Sequence, residues 1–280
     1  MKYVITGASG FIGTKLYMYL LENNHEVRGI PRDYLYNYFK LKEYLELEQP
    51  DVIVHLAAYG NHSTQNNLYM AAEANISATI TLLEASKDIN YRCLINTSTS
   101  SVNLDRQTFY SATKRGAEEI CRAFSQEYDK PIVSVRPYSV YGPGEASHRF
   151  IPTVIRSIKI GEEFTLAPNA RHDWIYIKDF IEGILSVVRR AEYLKGETVE
   201  VGTGISYSNL DVVENLELIA SGREKYNQGG FVDALGKERA NYKVVDSLRS
   251  YDSTSWECKE SIIDPQYSLF EGLKETYELS

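Results

Sequence analysis

Short apolar runs recur along the first half of the chain, and segments with helical spacing separate them. Tyr3-Val4-Ile5, Glu26 to Ile30, Asp51-Val52-Ile53-Val54-His55-Leu56, Cys93-Leu94-Ile95-Asn96 and Ile132-Val133-Ser134-Val135 read as strands. Between them, Leu16, Tyr17, Leu20 and Leu21 mark a first helix, and further helices are predicted near 75–88 and 110–128. Strands alternating with helices predict an α/β fold, a doubly wound parallel sheet with helices on both faces. Such sheets take ligands at the carboxyl ends of their strands. After Pro137 the pattern changes. Tyr141-Gly142-Pro143-Gly144 is turn-rich, and short helices then mix with isolated strands such as Thr198 to Val201. No internal repeat, low-complexity tract or long linker interrupts the chain.

The turn after the first strand carries the first chemical signal. Thr6-Gly7-Ala8-Ser9-Gly10-Phe11-Ile12-Gly13 joins strand to helix. Glycines there let the backbone take positive φ and approach a ligand closely. The helix start offers N–H groups and a positive dipole end to a pyrophosphate. Gly7, Ser9, Gly10, Phe11, Ile12 and Gly13 are therefore candidate dinucleotide-binding residues. The spacing, G-x-x-G-x-x-G, is one residue wider at the front than the usual dinucleotide fingerprint. A plain strand-to-helix turn is the alternative. The strand at Glu26, one helix later, completes a β-α-β unit and favours the Rossmann-type reading. Residues 1–137 are then expected to form the dinucleotide-binding domain, completed by parts of 175–204. Residues 138–174 and 205–280 are expected to form a smaller, mixed substrate-binding lobe.

Composition narrows the partners. The chain has 280 residues and a net charge of −8, so duplex nucleic acid is not an expected ligand. Three scattered cysteines, Cys93, Cys121 and Cys258, support neither a disulfide framework nor a zinc site, and no metal is expected. They fit a reducing compartment, and a cytoplasmic location is the expectation. No secretory signal is expected, because the first strand starts almost at Met1. No apolar run approaches the length of a membrane span. The 22 tyrosines read as half-buried surface and lobe residues.

Tyr110 and Lys114 stand one helical turn apart at the start of a predicted helix, on one face. An ammonium near a phenol favours phenolate, so such a tyrosine can exchange a proton with a substrate oxygen near neutral pH. A surface helix pair is the plain alternative. Thr97-Ser98-Thr99-Ser100-Ser101 follows the strand ending at Asn96, which places hydroxyls at a ligand-binding strand end; turn capping is the alternative there.

Together these motifs resemble the extended short-chain dehydrogenase/reductase family, the nucleotide-sugar epimerases, dehydratases and ketoreductases. The likeness rests on Thr6 to Gly13, His55-Leu56-Ala57-Ala58, Asn75 with Leu82-Leu83-Glu84-Ala85, Tyr110 with Lys114, and Val135-Arg136-Pro137. It continues with Val140-Tyr141-Gly142-Pro143-Gly144, Arg171-His172-Asp173-Trp174-Ile175-Tyr176-Ile177 and Ser268-Leu269-Phe270-Glu271-Gly272-Leu273. The resemblance implies that Tyr110 is the acid/base, that Lys114 binds the nicotinamide ribose, and that Thr99 bonds the reacting oxygen, with Ser98 and Ser100 as substitutes in a shifted register. It also implies cofactor contacts from Leu56, Ala57, Ala58, Asn75, Thr97 and Pro137, and substrate contacts from Thr99 and Ser100; Arg149, a candidate substrate contact, departs from the family in standing where many relatives have an Asn that contacts the sugar. Arg171 resembles the family's clamp on the sugar-nucleotide diphosphate; an exposed ion pair with Asp173 or Asp179 is the alternative. Family members pair as dimers through two long helices, here near 75–88 and 110–128.

Departures from the family pattern refine these expectations. Pro31 stands where NAD-preferring relatives carry an acid, and Arg32 follows, which suits a 2′-phosphate. NADP(H) is therefore favoured, while Asp33 keeps NAD(H) open if the turn shifts by two. Ser100-Ser101 replace the Asp-Glu that follows the threonine in 4,6-dehydratases, so no carboxyl is present there to eliminate water. The stretch from Val102 to Tyr110 is short for a substrate-covering loop. His148 reads as a surface histidine rather than a second acid. The link before Asp51 is also brief, as in 4-keto-reductases. The leading expectation is thus NADPH-dependent reduction of a 4-keto nucleotide-diphospho-sugar. A nucleotide-sugar 4-epimerase with tightly bound NAD is the first alternative, and a non-catalytic cofactor-binding protein the second.

Overall fold

The computed structural model describes residues 1–62, 64–222, 239–245 and 257–280. In chain order its strands are β1 (Lys2–Thr6), β2 (Glu26–Gly29), β3 (Val52–His55), β4 (Cys93–Thr97), β5 (Ile132–Pro137), β6 (Ser139–Tyr141), β7 (Phe164–Leu166), β8 (Arg171–Tyr176), β9 (Thr198–Val201), β10 (Ser206–Ser208) and β11 (Tyr242–Val244). Its helices are α1 (Phe11–Glu22), α2 (Tyr38–Glu48), α3 (Leu68–Ala72), α4 (Ala78–Ser86), α5 (Phe109–Tyr128), α6 (Phe150–Ile160), α7 (Ile177–Arg190), α8 (Asn209–Ala220) and α9 (Leu269–Glu278).

The chain divides into two compact units. The first comprises Met1–Pro137, Phe180–Val201 and Glu260–Ile263. Its sheet has the order β2-β1-β3-β4-β5-β9, with every neighbouring pair parallel. The chain steps from β1 to β2 on one side and returns to β3 on the other. The carboxyl ends of β1 and β3 therefore form a switch point, the place where such sheets open a ligand crevice. β3 and β4 are buried along their whole lengths, as expected of strands covered on both faces. Val4, Ile53, Leu94 and Ile132 of the sheet pack with Leu41 and Leu45 of α2, Leu82 and Leu83 of α4, and Cys121 and Phe124 of α5.

Two local features differ from the reading of the sequence. The link between β2 and β3 contains a short 3₁₀ turn, Arg32–Tyr36, and the helix α2. Only Leu41 and Leu45 of α2 are buried, so its apolar stripe is too thin to stand out in the sequence. The helix expected near 75–88 starts earlier, at Leu68, and carries a wide π turn over Glu73–Ser77 that turns Ala74 and Asn75 inward. Nearby, α5 comes close enough that a Cβ on Gly116 would meet Ile76 Cδ1 at 3.0 Å.

The second unit comprises Tyr138–Asp179, Gly202–Lys259 and Asp264–Ser280, as far as its residues are described. The stretch 205–280 expected in the lobe includes 223–238 and 246–256, which lie outside the described residues. This unit holds the sheet β10-β8-β6 and the pair β11-β7. Buried carboxylates fasten its loops. Asp173 accepts hydrogen bonds from Thr203 N (2.8 Å), Thr203 Oγ1 (2.7 Å), Gly204 N (2.9 Å) and Cys258 N (2.9 Å). Asp179 accepts from the backbone N–H groups of Gln266 and Tyr267. Aromatic rings fill much of the interior, with Tyr141 against Trp174 and Tyr176, and Tyr176 against Tyr267. Among the described residues no helix is long and apolar enough to cross a membrane.

Candidate active site

The glycine turn follows β1 with φ of +67° at Gly7, a conformation that glycine adopts without strain. A Cβ at Gly7 would meet Ala57 N at 2.9 Å, and one at Gly13 would strike Gly7 O at 2.2 Å. The turn is therefore packed against Leu56-Ala57 on one side and its own helix on the other. Gly10 N donates to Gly7 O (3.0 Å) and closes the loop. No side chain caps α1 at Gly10, so the helix begins with N–H groups aimed outward, an arrangement that suits phosphate oxygens. Ser9 and Gly10 are exposed, with Phe11 and Ile12 half-buried behind them.

Behind the turn, a buried polar chain links β1, β3 and the inward side of the α3–α4 rod. Ala57 N donates to Thr6 Oγ1 (3.1 Å), and Thr6 Oγ1 lies 2.7 Å from His55 Nδ1. His55 Nε2 lies 3.2 Å from Thr79 Oγ1, which itself donates to Asn75 O (2.8 Å). Thr79 spends its proton on that carbonyl, so the imidazole must donate from Nε2 and accept at Nδ1. Burial, reinforced by the Lys114 charge, lowers His55 to about 3, and the ring is neutral. Asn75 accepts from Tyr59 N (2.9 Å) and donates to Tyr59 O (2.8 Å) and Thr113 Oγ1 (2.9 Å). The side chain expected to touch a cofactor is thus engaged with the Ala57–Gly60 stretch and with α5.

Helix α5 begins with a reciprocal cap between Thr108 and Ser111. This fixes its first turn, which carries Tyr110. The backbone at Gly60, with φ of +108°, packs against that tyrosine: a Cβ there would meet Tyr110 Cβ at 3.0 Å. Tyr110 is half-buried, while Lys114 on the next turn is buried, and burial lowers its ammonium to about 8. Glu118, a further turn on, has a fully buried carboxylate that accepts from Arg136 Nε (2.8 Å) and Nη2 (2.7 Å). Sequence reading did not foresee this pair. Glu118 stands at helical spacing from Lys114, but Arg136 comes from β5 and no local pattern links the two.

At the carboxyl end of β4, Thr97 Oγ1 and Ser98 Oγ are buried without a hydrogen-bond partner. Orphaned hydroxyls of this kind fit a bound polar ligand. Thr99 Oγ1 accepts from Ser101 N (3.2 Å) and donates to Ser101 Oγ (3.1 Å), while Ser100 is buried at the head of the short turn that follows. Pro137 ends β5, two strands from β3 in the same sheet. The open helix start, the close approach at Gly7 and the unpaired hydroxyls together fit a dinucleotide. Gly7, Ser9, Gly10 and Gly13 would hold its phosphates, and Lys114 its nicotinamide ribose.

The other expected residues have different surroundings. Arg32 is exposed at the start of the 3₁₀ turn, and Asp33 pairs with Lys40 at 3.7 Å. In the second unit, Arg149 pairs with Glu145 at 3.4 Å, and burial pushes the Glu145 carboxyl up to about 7. Arg171 is exposed and donates from Nε to Ser206 Oγ (3.2 Å) and from Nη2 to Ser206 O. The bonds of Asp173 and Asp179 described above go to backbone and Thr203, so neither forms the alternative ion pair with Arg171. His172 lies against Trp174, with ring centroids 5.1 Å apart.

A parallel sheet with a glycine turn at its switch point, and a Tyr-Lys helix facing the next strand end, defines a Rossmann-type dinucleotide-dependent enzyme. Comparison with known proteins makes this specific: the chain belongs to the NAD dependent epimerase/dehydratase family, whose model matches residues 3–202. This is the extended short-chain dehydrogenase/reductase family of the resemblance. The chain is 30% identical to the "Uncharacterized UDP-glucose epimerase YtcB" of Bacillus subtilis (strain 168), over 98% of this chain and 96% of that protein. It is 27% identical to the UDP-glucuronate 4-epimerase of Thermodesulfobacterium geofontis (strain OPF15), over 99% of this chain and 95% of the relative. Among solved structures, UDP-glucuronic acid 4-epimerase from Bacillus cereus, in complex with UDP-glucuronic acid and NAD, superposes with a TM-score of 0.82. That match has 25% identity and covers 100% of this chain and 98% of the other.

Proposed function

We propose that this chain is a nucleotide-sugar 4-epimerase acting on a UDP-linked hexose or hexuronate, with an NAD(H)-class cofactor along the glycine turn. The observation that carries the reading is the buried lysine one helical turn from Tyr110, behind a strand end with unpaired hydroxyls. A bound nicotinamide supplies a place for hydride to go and return. The protein supplies the proton path. Tyr110 takes the proton from the sugar 4-oxygen as the C4 hydride leaves, and gives it back when hydride returns to the opposite face. Nothing is gained or lost overall. The Lys114 ammonium favours the phenolate form needed in the first half and anchors the ribose hydroxyls. Thr99 holds the 4-oxygen in line, and the exposed Arg171 clamps the diphosphate with its planar fork.

Several features favour epimerisation over its neighbours. The full-length relatives above include two named as epimerases, and a solved relative holds NAD. Elimination of water needs an acid beyond Thr99, and Ser100 and Ser101 supply none. A second reading, NADPH-dependent reduction of a 4-keto sugar, is supported by Pro31 and the exposed Arg32 after β2. We also propose a homodimer through α3–α4 and α5, because Tyr69, Ile80 and Phe109 expose 87%, 42% and 47% of their surface there. Ile80→Glu is then expected to leave a monomer in sedimentation; a wild-type mass for that variant would discard the dimer.

The deciding experiment uses purified protein without added cofactor. Bound NAD(H) released on denaturation, with conversion of UDP-glucuronate or UDP-glucose into its 4-epimer, supports the epimerase. A strict need for added NADPH, with turnover only of a 4-keto sugar, replaces it with the reductase.

A further inference from the structure

Lys114 and Glu118 lie one turn apart on the same face of α5, the commonest geometry for a helical ion pair. Both side chains are buried, where an unscreened carboxylate attracts a cation strongly. Yet both Glu118 oxygens are taken by Arg136, from β5, in a two-pronged bond of 2.8 and 2.7 Å. Arg136 is itself held from the opposite side. Its Nη1 donates to Asn103 Oδ1 at 3.3 Å and lies 3.9 Å from Glu200 Oε1, and Asn103 Nδ2 also donates to Glu200 at 2.9 Å. Asn103 closes the short turn that begins beside Thr99. The guanidinium thus ties three pieces of the first unit: α5, the turn after β4, and β9.

We propose that Arg136 is a positioning residue that keeps Glu118 away from Lys114, leaving the Lys114 ammonium for the cofactor ribose and Tyr110. Without the guanidinium, Glu118 is a buried carboxylate with a cation one turn away. Leaving it unpaired is costly, so its side chain turns toward Lys114. The ammonium then faces along α5 instead of toward the cofactor. Arg136 acts by occupying a competitor rather than by touching the reacting groups. The inference rests on the role given to Lys114 above, but not on which sugar is turned over.

The test is a double-variant cycle on the full chain, read first by calorimetric titration with NAD(H), or with NADP(H) if that binds tighter. Arg136→Gln is expected to weaken cofactor binding about tenfold, the scale of one lost hydrogen bond to a charged group. Glu118→Gln combined with Arg136→Gln removes the competitor as well, and is expected to return affinity to within about threefold of wild type. Turnover of UDP-glucuronate should follow the same order. A structural role for Arg136 predicts the opposite, a double variant at least as impaired as the single one, and that result overturns the proposal. Unchanged affinity in Arg136→Gln overturns it as well. If Arg136→Gln does not fold, Glu118→Gln alone decides: affinity within about twofold of wild type is expected, and a tenfold loss refutes the idea. Failure of the epimerase reading would show elsewhere, as a strict need of the wild type for added NADPH with turnover only of a 4-keto sugar, so the two failures are distinguishable.

Discussion

At the residue scale, chemistry concentrates in a few side chains whose surroundings differ from those of their neighbours. Tyr110 is half-buried at a helix start and Lys114 is buried one turn further on, the pair on which the proposed proton transfer rests. Tyr110→Phe keeps the ring and removes the oxygen. It is expected to lower turnover by about 10²–10⁴-fold while leaving cofactor affinity within about twofold, as measured by steady-state rates and titration. Equal turnover would remove the acid–base role. The glycine turn offers a second residue-scale test. A Cβ at Gly13 would lie 2.2 Å from Gly7 O, a distance no methyl tolerates. Gly13→Ala is expected to cost about 3 kcal/mol of stability in denaturant unfolding and to abolish saturable cofactor binding. These candidate residues stand out in the sequence because each motif is local: glycines three apart after a strand, a lysine four after a tyrosine. The grip of Arg136 on Glu118 does not, because it joins residues 18 positions apart through a fold.

At the element scale, β3, β4 and β5 inside the first sheet are readable because nearly all of their residues are buried and each run is largely apolar, while β2 and β9 at its edges carry charge and are less buried. Helix α2 is harder to read, since exposed Phe39 and Leu47 blur the face that buries Leu41 and Leu45. In the second unit β8 has six residues, but β6, β7, β10 and β11 have only three each. What holds them is tertiary: carboxylates and aromatic rings brought from other segments, invisible to any window along the chain. Asp173 shows the weight of such a fastener. Its carboxylate satisfies three backbone N–H groups and one hydroxyl. Asp173→Ala strands those buried donors and is expected to cost about 3 kcal/mol or more, lowering the Tm by about 6–10 °C in calorimetry. A change under about 2 °C would show that the loop at Thr203 is held by something else.

Across the whole molecule, buried titrating groups tie stability to pH. His55 is neutral in the fold, at about 3 against an ordinary value of 6.5, so below 6.5 the unfolded chain binds the extra proton. Its contribution is complete above about 6.5 and is lost as pH falls toward 3. Lys114 acts at the other end. Its folded value is about 8 against 10.5 unfolded, so between those limits the unfolded chain again holds more protons and stability rises with pH. His55→Gln is expected to be less stable at pH 7 yet to lose less of its remaining stability between pH 6.5 and pH 4, measured by denaturant midpoints at each pH. Parallel acid profiles for the two proteins would mean that the imidazole is not the group responsible.

The path of the polypeptide carries a last consequence. Between Pro137 and Tyr138, Asp179 and Phe180, Val201 and Gly202, Lys259 and Glu260, and Ile263 and Asp264, the backbone leaves one compact unit for the other. No single cut separates them, and neither can be encoded as one uninterrupted stretch of gene. A swap of one whole unit would need several joints made at once. A lineage built on this architecture alters either unit more readily by exchanging single amino acids than by trading a contiguous block.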